Sequence, residues 1–187
     1  MRRISLKTVI RAFLWFVNFR TMIKITMWWL WPRRDRTFFI FEDRQYTYRE
    51  VYLQAQRYAD FFLAERMRLV ESGRLGPDER FALGIYMENA PEFVFAALGA
   101  GLSNSILFAI NTGFRGETLA RVIDQARITR LITNAGSAAE VESALADVTV
   151  LGRSDVLFAG SEEELAGRGY RLLDQAVAGP VSPGLRR

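Results

Sequence analysis

Asn111 and Arg115 bracket a glycine-containing turn, Asn-Thr-Gly-Phe-Arg-Gly, directly ahead of a helix-like run that opens at Gly116. Unpaired N–H groups and the helix dipole make such a start a place for an anion. The competing reading is a strand-to-helix turn held by side-chain-to-backbone hydrogen bonds, and one helix start among several favours that plainer reading. Gly113-Phe114-Arg115-Gly116 is not a phosphate loop, because the glycine spacing is wrong and no Lys-Ser/Thr follows. Glu162-Glu163-Glu164 has the residue type for metal or proton chemistry. Adjacent residues on a helix do not share a face, so a solvated charge run at a helix start fits better. Tyr58, Phe61 and Phe62 could line an apolar channel, but at helical spacing they read as core.

The composition removes most other chemistry. The chain has 187 residues and contains neither His nor Cys, so the commonest general base and the thiolate ligands are missing. Lys7 and Lys24 are the only lysines, so nothing after position 24 offers a phosphate-loop or Schiff-base amine. No residue is assigned as catalytic, cofactor-binding or metal-ligating on these grounds. The net charge of +4 is uneven: residues 1–36 hold nine basic residues and one acid, which leaves the remainder at −4.

The elements that must position these residues alternate between strand and helix. Phe38–Phe41 and Arg44–Thr47 read as two strands about a turn at Glu42-Asp43. Thr47-x-x-Glu50 is a capping box that starts a helix at Tyr48. Phe81–Tyr86, Ile106–Ile110, Arg130–Thr133 and Val156–Phe158 read as buried strands. Between them, Asn89 is read as a cap with Pro91 in the first turn and Glu92 at N3. Helices are also expected over Gly116–Ala126, from Ser137-x-x-Glu140, and over Leu172–Ala178. This alternation predicts an α/β fold with a mostly parallel sheet and flanking helices. Residues 37–178 form that unit, and 179–187, rich in Gly and Pro, read as a linker-like tail.

Residues 1–36 form a separate basic, Trp-rich arm. Leu6, Val9, Ile10, Phe13 and Val17 follow one helical face. The longest uncharged runs, Ala12–Phe19 and Ile25–Pro32, are too short to cross a bilayer. Indole rings favour the headgroup zone and basic groups favour anionic lipid. Phe13, Trp15, Trp28, Trp29, Trp31, Arg33 and Arg34 are therefore expected to contact a membrane surface, with the arm an interfacial amphipathic helix pair on its cytoplasmic face. The alternative is an amphipathic helix packed on the rest of the protein. No nucleic-acid partner is expected, because the acidic remainder would repel phosphate.

Three segments carry a resemblance. Tyr46-Thr47-Tyr48-Arg49-Glu50-Val51 matches the early Thr-Tyr-x-Glu segment of the adenylate-forming acyl-CoA synthetases. Met87 to Phe93 matches their Asn-x-Pro-Glu-Phe helix start, through Asn89, Pro91 and Glu92. Ile110 to Leu119 resembles the Asn-x-x-x-Arg-Gly-x-x-Leu segment of the long-chain and fatty-acid transport protein branch, through Asn111, Arg115 and Gly116. The fold so implied is an incomplete N-terminal subdomain of the synthetase fold. The activity implied is fatty acid + ATP + CoA to acyl-CoA + AMP + pyrophosphate, through an acyl-adenylate, with fatty-acid activation and uptake as the role. ATP, Mg²⁺ and CoA would serve the full-length enzyme, and none is expected to be bound by this chain alone. The family's phosphate loop and catalytic lysine match nothing in this sequence. The chain is thus expected to be inactive alone and to need the missing C-terminal part of the synthetase. A rival reading is a non-catalytic truncated remnant acting as a membrane-bound interaction module.

Overall fold

The computed structural model describes residues 19–179. Phe13 and Trp15, the Leu6–Val17 helical face and most of the linker-like tail lie outside those residues. Trp28 falls within the first described helix, with its side chain outside them.

That helix, α1, spans Phe19–Leu30 and runs into a 3-10 turn at Trp31–Arg33. A hairpin follows, β1 (Thr37–Phe41) against β2 (Arg44–Thr47), and Glu42 takes φ 51° at its turn. A lone hairpin is marginal in water. This one is held by stacking of Phe39 on Tyr46, with centroids 4.6 Å apart, and by the edge of Tyr46 on Phe95. The long helix α2, Tyr48–Glu71, starts at the expected capping box: the Glu50 N–H donates to Thr47 Oγ1 and the Thr47 N–H to Glu50 Oε2.

The remaining chain builds a five-stranded, all-parallel sheet. Its strands are β3 (Ala82–Ile85), β4 (Ile106–Ala109), β5 (Arg130–Asn134), β6 (Val156–Ala159) and β7 (Arg171–Leu172). They lie in the order β4-β3-β5-β6-β7. The helices between them are α3 (Pro91–Leu102), α4 (Gly116–Gln125), α5 (Ala138–Ala144) and α6 (Glu162–Leu165); α7 (Leu173–Val177) follows β7.

Successive strand residues point to opposite faces, and both faces are apolar. Ile132 joins Leu83, Ile85, Phe62, Phe81 and Phe95 in the core beneath α2 and α3. Its neighbour Leu131 joins Ile123, Ile128, Val141 and Phe158 beneath α4 and α5. Tyr58, Phe61 and Phe62 are all buried in the first core, as the plainer reading expected. Glycine permits one close crossing here: a Cβ on Gly99 of α3 would sit 2.6 Å from Tyr58 Cβ and 3.1 Å from the Ala55 carbonyl of α2.

Three local expectations change. Asn89 is not the cap of α3. Ala90 holds that position in extended backbone with no side-chain bond, Pro91 follows at N1, and Glu92 is one place earlier than N3. Proline supplies the preset φ and lacks an N–H to satisfy, so the start needs no polar cap. Ser137 also fails to cap α5: it ends a 3-10 turn with φ −118° and ψ −3°, outside the extended geometry a cap uses, and Glu140 is turned to Arg115. Leu172 lies in a short strand rather than opening the last helix. In the arm, Ile23 and Met27 of α1 are buried against Ala55, Ala59 and Leu102, so one face of this helix packs on the body.

Candidate binding crevice and family assignment

The chain leaves β3 through α3 to one side and reaches β5 through α4 on the other. Strand order therefore reverses between β3 and β5, and in open α/β sheets the crevice outside the carboxyl ends at that point is where ligands bind. Three loops meet there: residues 86–90 after β3, 110–115 after β4 and 135–137 after β5.

Tyr86 organises the first lip. Its ring is buried, its hydroxyl donates to the Phe114 carbonyl at 2.7 Å, and it accepts from Arg115 Nη1 at 2.6 Å. Burial pushes its phenol above the ordinary value, against a smaller opposing pull from the Arg115 charge. The same Arg115 nitrogen donates to the carbonyls of Thr112 and Phe114, and Nε pairs with Glu140 at 3.3 Å. Asn111 Oδ1 accepts the Gly113 N–H at 2.8 Å. Gly116 takes φ 47°, which glycine adopts without strain. Asn111, Arg115 and Gly116 thus form the self-bonded turn of the plainer reading, and Arg115 already has an anionic partner.

The second lip offers acceptors. A Cβ on Gly136 would lie 3.6 Å from Glu88 Oε2 and 3.8 Å from Asn134 Oδ1, which places these three residues together. Asn134 Oδ1 and Thr133 Oγ1 are buried without a hydrogen-bond partner. Such atoms cost stability unless a donor reaches them. The crevice therefore lies beside two closed-off polar oxygens. It has no histidine, cysteine or lysine with which to react. Among the described residues no cluster could hold a metal ion. Glu162, Glu163 and Glu164 lie at the start of α6, a helix capped by Ser161, and are exposed.

The opposite, amino-terminal end of the sheet holds a buried charge network that no sequence motif announces. Glu65 of α2 accepts from Arg130 at the start of β5, from Arg171 at the start of β7 and from Arg68. Arg130 Nη1 also reaches Asp155 at 2.7 Å, and Arg74 grips that carboxylate with two nitrogens at 3.0 and 2.8 Å. Burial alone would raise the Glu65 carboxyl, but Arg171 and Arg130 outweigh it and hold it below the ordinary range. Burial likewise opposes, and Arg74, the Gly152 N–H and Arg130 overcome, at Asp155. The network ties α2 to three strands and is remote from the crevice.

Among the other predicted positions, Tyr46 packs in the hairpin core, while Thr47 and Glu50 cap α2 and Tyr48 opens it. Trp29 and Trp31 are exposed, with the Arg33 guanidinium 5.9 Å from the first ring and that of Arg34 5.3 Å from the second. Arg33 is exposed and Arg34 half-buried. Among the described residues no helix is long and apolar enough to cross a membrane.

This doubly wound unit is that of the adenylate-forming synthetases. Residues 29–179 match the AMP-binding enzyme family, and the chain belongs to it. Over 149 residues it is 31% identical to the medium-chain acyl-CoA ligase Mig of Mycobacterium avium, spanning 76% of this chain and 25% of that protein. Coronafacic acid ligase from Pectobacterium brasiliense superposes with a TM-score of 0.71 at 10% identity, covering 89% of this chain and 30% of that one. A putative long-chain-fatty-acid CoA ligase from Rhodopseudomonas palustris gives 0.68 at 17% identity, covering 89% and 38%. The α/β fold with its mostly parallel sheet is thus that of the N-terminal part of these enzymes, and the domain is of acyl-CoA ligase type. The chain spans about a quarter of the length of the curated relative it matches.

Proposed function

We propose that this chain is the N-terminal structural unit of a fatty acid–CoA ligase of the long-chain, transport-protein-like branch. In this reading the whole enzyme joins a fatty acid to CoA through an acyl-adenylate, using ATP and Mg²⁺. The residues that neutralise phosphate charge during attack of the carboxylate lie outside this chain. The observation that carries the reading is the family match over residues 29–179, with the Thr47–Glu50, Pro91–Glu92 and Asn111–Gly116 segments in family order within one α/β unit. The likeness to the Mig ligase supports an acyl substrate, and its medium-chain label sets the competing chain length.

The test is fatty-acid-dependent ATP–pyrophosphate exchange across a series of acids from short to long. The purified chain alone shows none. The same unit joined to the remainder of its synthetase shows exchange that rises with chain length. Robust exchange by the isolated chain would overturn the assignment of the chemistry to residues elsewhere, and a peak at medium length would overturn the long-chain branch.

A further inference from the structure

α1 carries two apolar faces, and the fold uses one. Ile23 and Met27, four residues apart, are buried against α2 and α3. Met22, Ile25 and Trp29 follow at i, i+3 and i+7 on the outer side and are 52%, 55% and 68% exposed. The inner pair already attaches the helix, so the outer stripe has no part in that packing. Trp31, in the 3-10 turn that follows, is 44% exposed. Basic groups lie at the stripe's carboxyl end, where Arg33 and Arg34 sit over the Trp29 and Trp31 rings.

Isolated surface apolar residues need no explanation, but a helical stripe of Met, Ile and Trp that ends in a pair of arginines does. Indole suits the zone where apolar chain meets headgroup, and guanidinium and ammonium suit lipid phosphate. The described part of the helix has 12 residues, about 18 Å at the usual rise. Arg20 and Lys24 interrupt its apolar run, and among the described residues no helix is long and apolar enough to cross a membrane, which favours a pose along a surface.

We propose that the outer stripe of α1 docks on the surface of an anionic phospholipid bilayer. The helix lies in the plane of the headgroups, with Met22, Ile25 and Trp29 toward the acyl chains and Arg33 and Arg34 on lipid phosphates. Ile23 and Met27 keep the same helix bound to α2 and α3, so the body is held close to the bilayer. The leaflet with this chemistry is the anionic one facing the cytoplasm. This inference is independent of the ligase reading, since no nucleotide or acid enters its test.

The full chain is mixed with phosphatidylcholine vesicles, with and without about 30% phosphatidylserine, a level that gives a clear negative surface potential. All four tryptophans fall between positions 15 and 31, so intrinsic fluorescence reports on this segment alone. Expected are co-sedimentation with the anionic vesicles, a blue shift, and weakening by salt. The variant M22Q/I25Q/W29Q loses roughly tenfold or more of its partitioning, with unchanged circular dichroism and unfolding midpoint. R33E loses much of the preference for anionic vesicles.

Undiminished binding by the triple variant would overturn the proposal. So would a lower unfolding midpoint of that variant without lipid, which would mean the chain itself covers the stripe. A change in its sedimentation mass would do the same, by marking an interface between copies.

Discussion

Glu65 Oε2 of α2 lies 2.7 Å from Arg130 Nη2 at the foot of β5, across 65 positions of sequence, with the two residues only 1% and 6% exposed. The pair joins the helix layer to the sheet where the strands begin. Breaking a buried pair leaves a charge without its partner, which is worth about 3–5 kcal/mol. Glu65→Gln is therefore expected to lower stability by about 3 kcal/mol, since Asp155 still faces Arg130. Urea unfolding measures this, and a loss below about 1 kcal/mol would show that the network carries little of the fold.

The same carboxylates set an acid limit. Glu65 and Asp155 are held below their ordinary values in the folded state. A depressed folded pKa contributes stability that is present above the unfolded value and is lost as pH falls through the folded one. Stability should stay level from neutrality down to about pH 5, then drop through the ordinary carboxylate range near 4 and below. Urea midpoints at a series of pH values test it. The double variant E65Q/D155N should give a flatter acid limb, and an equal slope in both proteins would assign the acid loss to other groups.

Thr47→Ala removes the side chain that accepts the Glu50 N–H at the start of α2. The expected cost is about 1 kcal/mol. Thr47→Ser keeps the oxygen and should recover most of it. Thermal unfolding of the three proteins decides the matter, and equal midpoints would mean the cap contributes nothing.

Gly99→Ala places a methyl where only 2.6 Å separates it from Tyr58 Cβ. The helices must part or shift, at a cost of about 1–3 kcal/mol by overpacking. Helix propensity alone would favour alanine by roughly 1 kcal/mol. The sign of the change in urea midpoint thus reports whether the α2–α3 crossing is as close as described: a stabilised variant would mean that it is not.

Most of the frame could be read from local pattern. Strand residues such as Leu131 and Ile132 are apolar on both faces because helices cover both, which marks a parallel sheet in sequence. The Thr47–Glu50 box is legible because both of its bonds close within four residues. Asn89 misled because a polar residue before proline resembles a cap, while the backbone places Ala90 there. The short β7 went unseen because two residues carry no period.

Sequence by itself determined the alternation of strand and helix, the capped start of α2, the charge division between arm and body, and the lack of any histidine, cysteine or distal lysine. These depend on residue type and on neighbours a few positions away. Only tertiary structure decided which strands adjoin, and so that the loops of Tyr86, Arg115 and Gly136 share one crevice. It alone brought Glu65 to Arg130 and Asp155, and divided α1 into a face held by the body and a face left outward. Those outcomes depend on long-range packing between segments whose separation in sequence carries no signal of their contact.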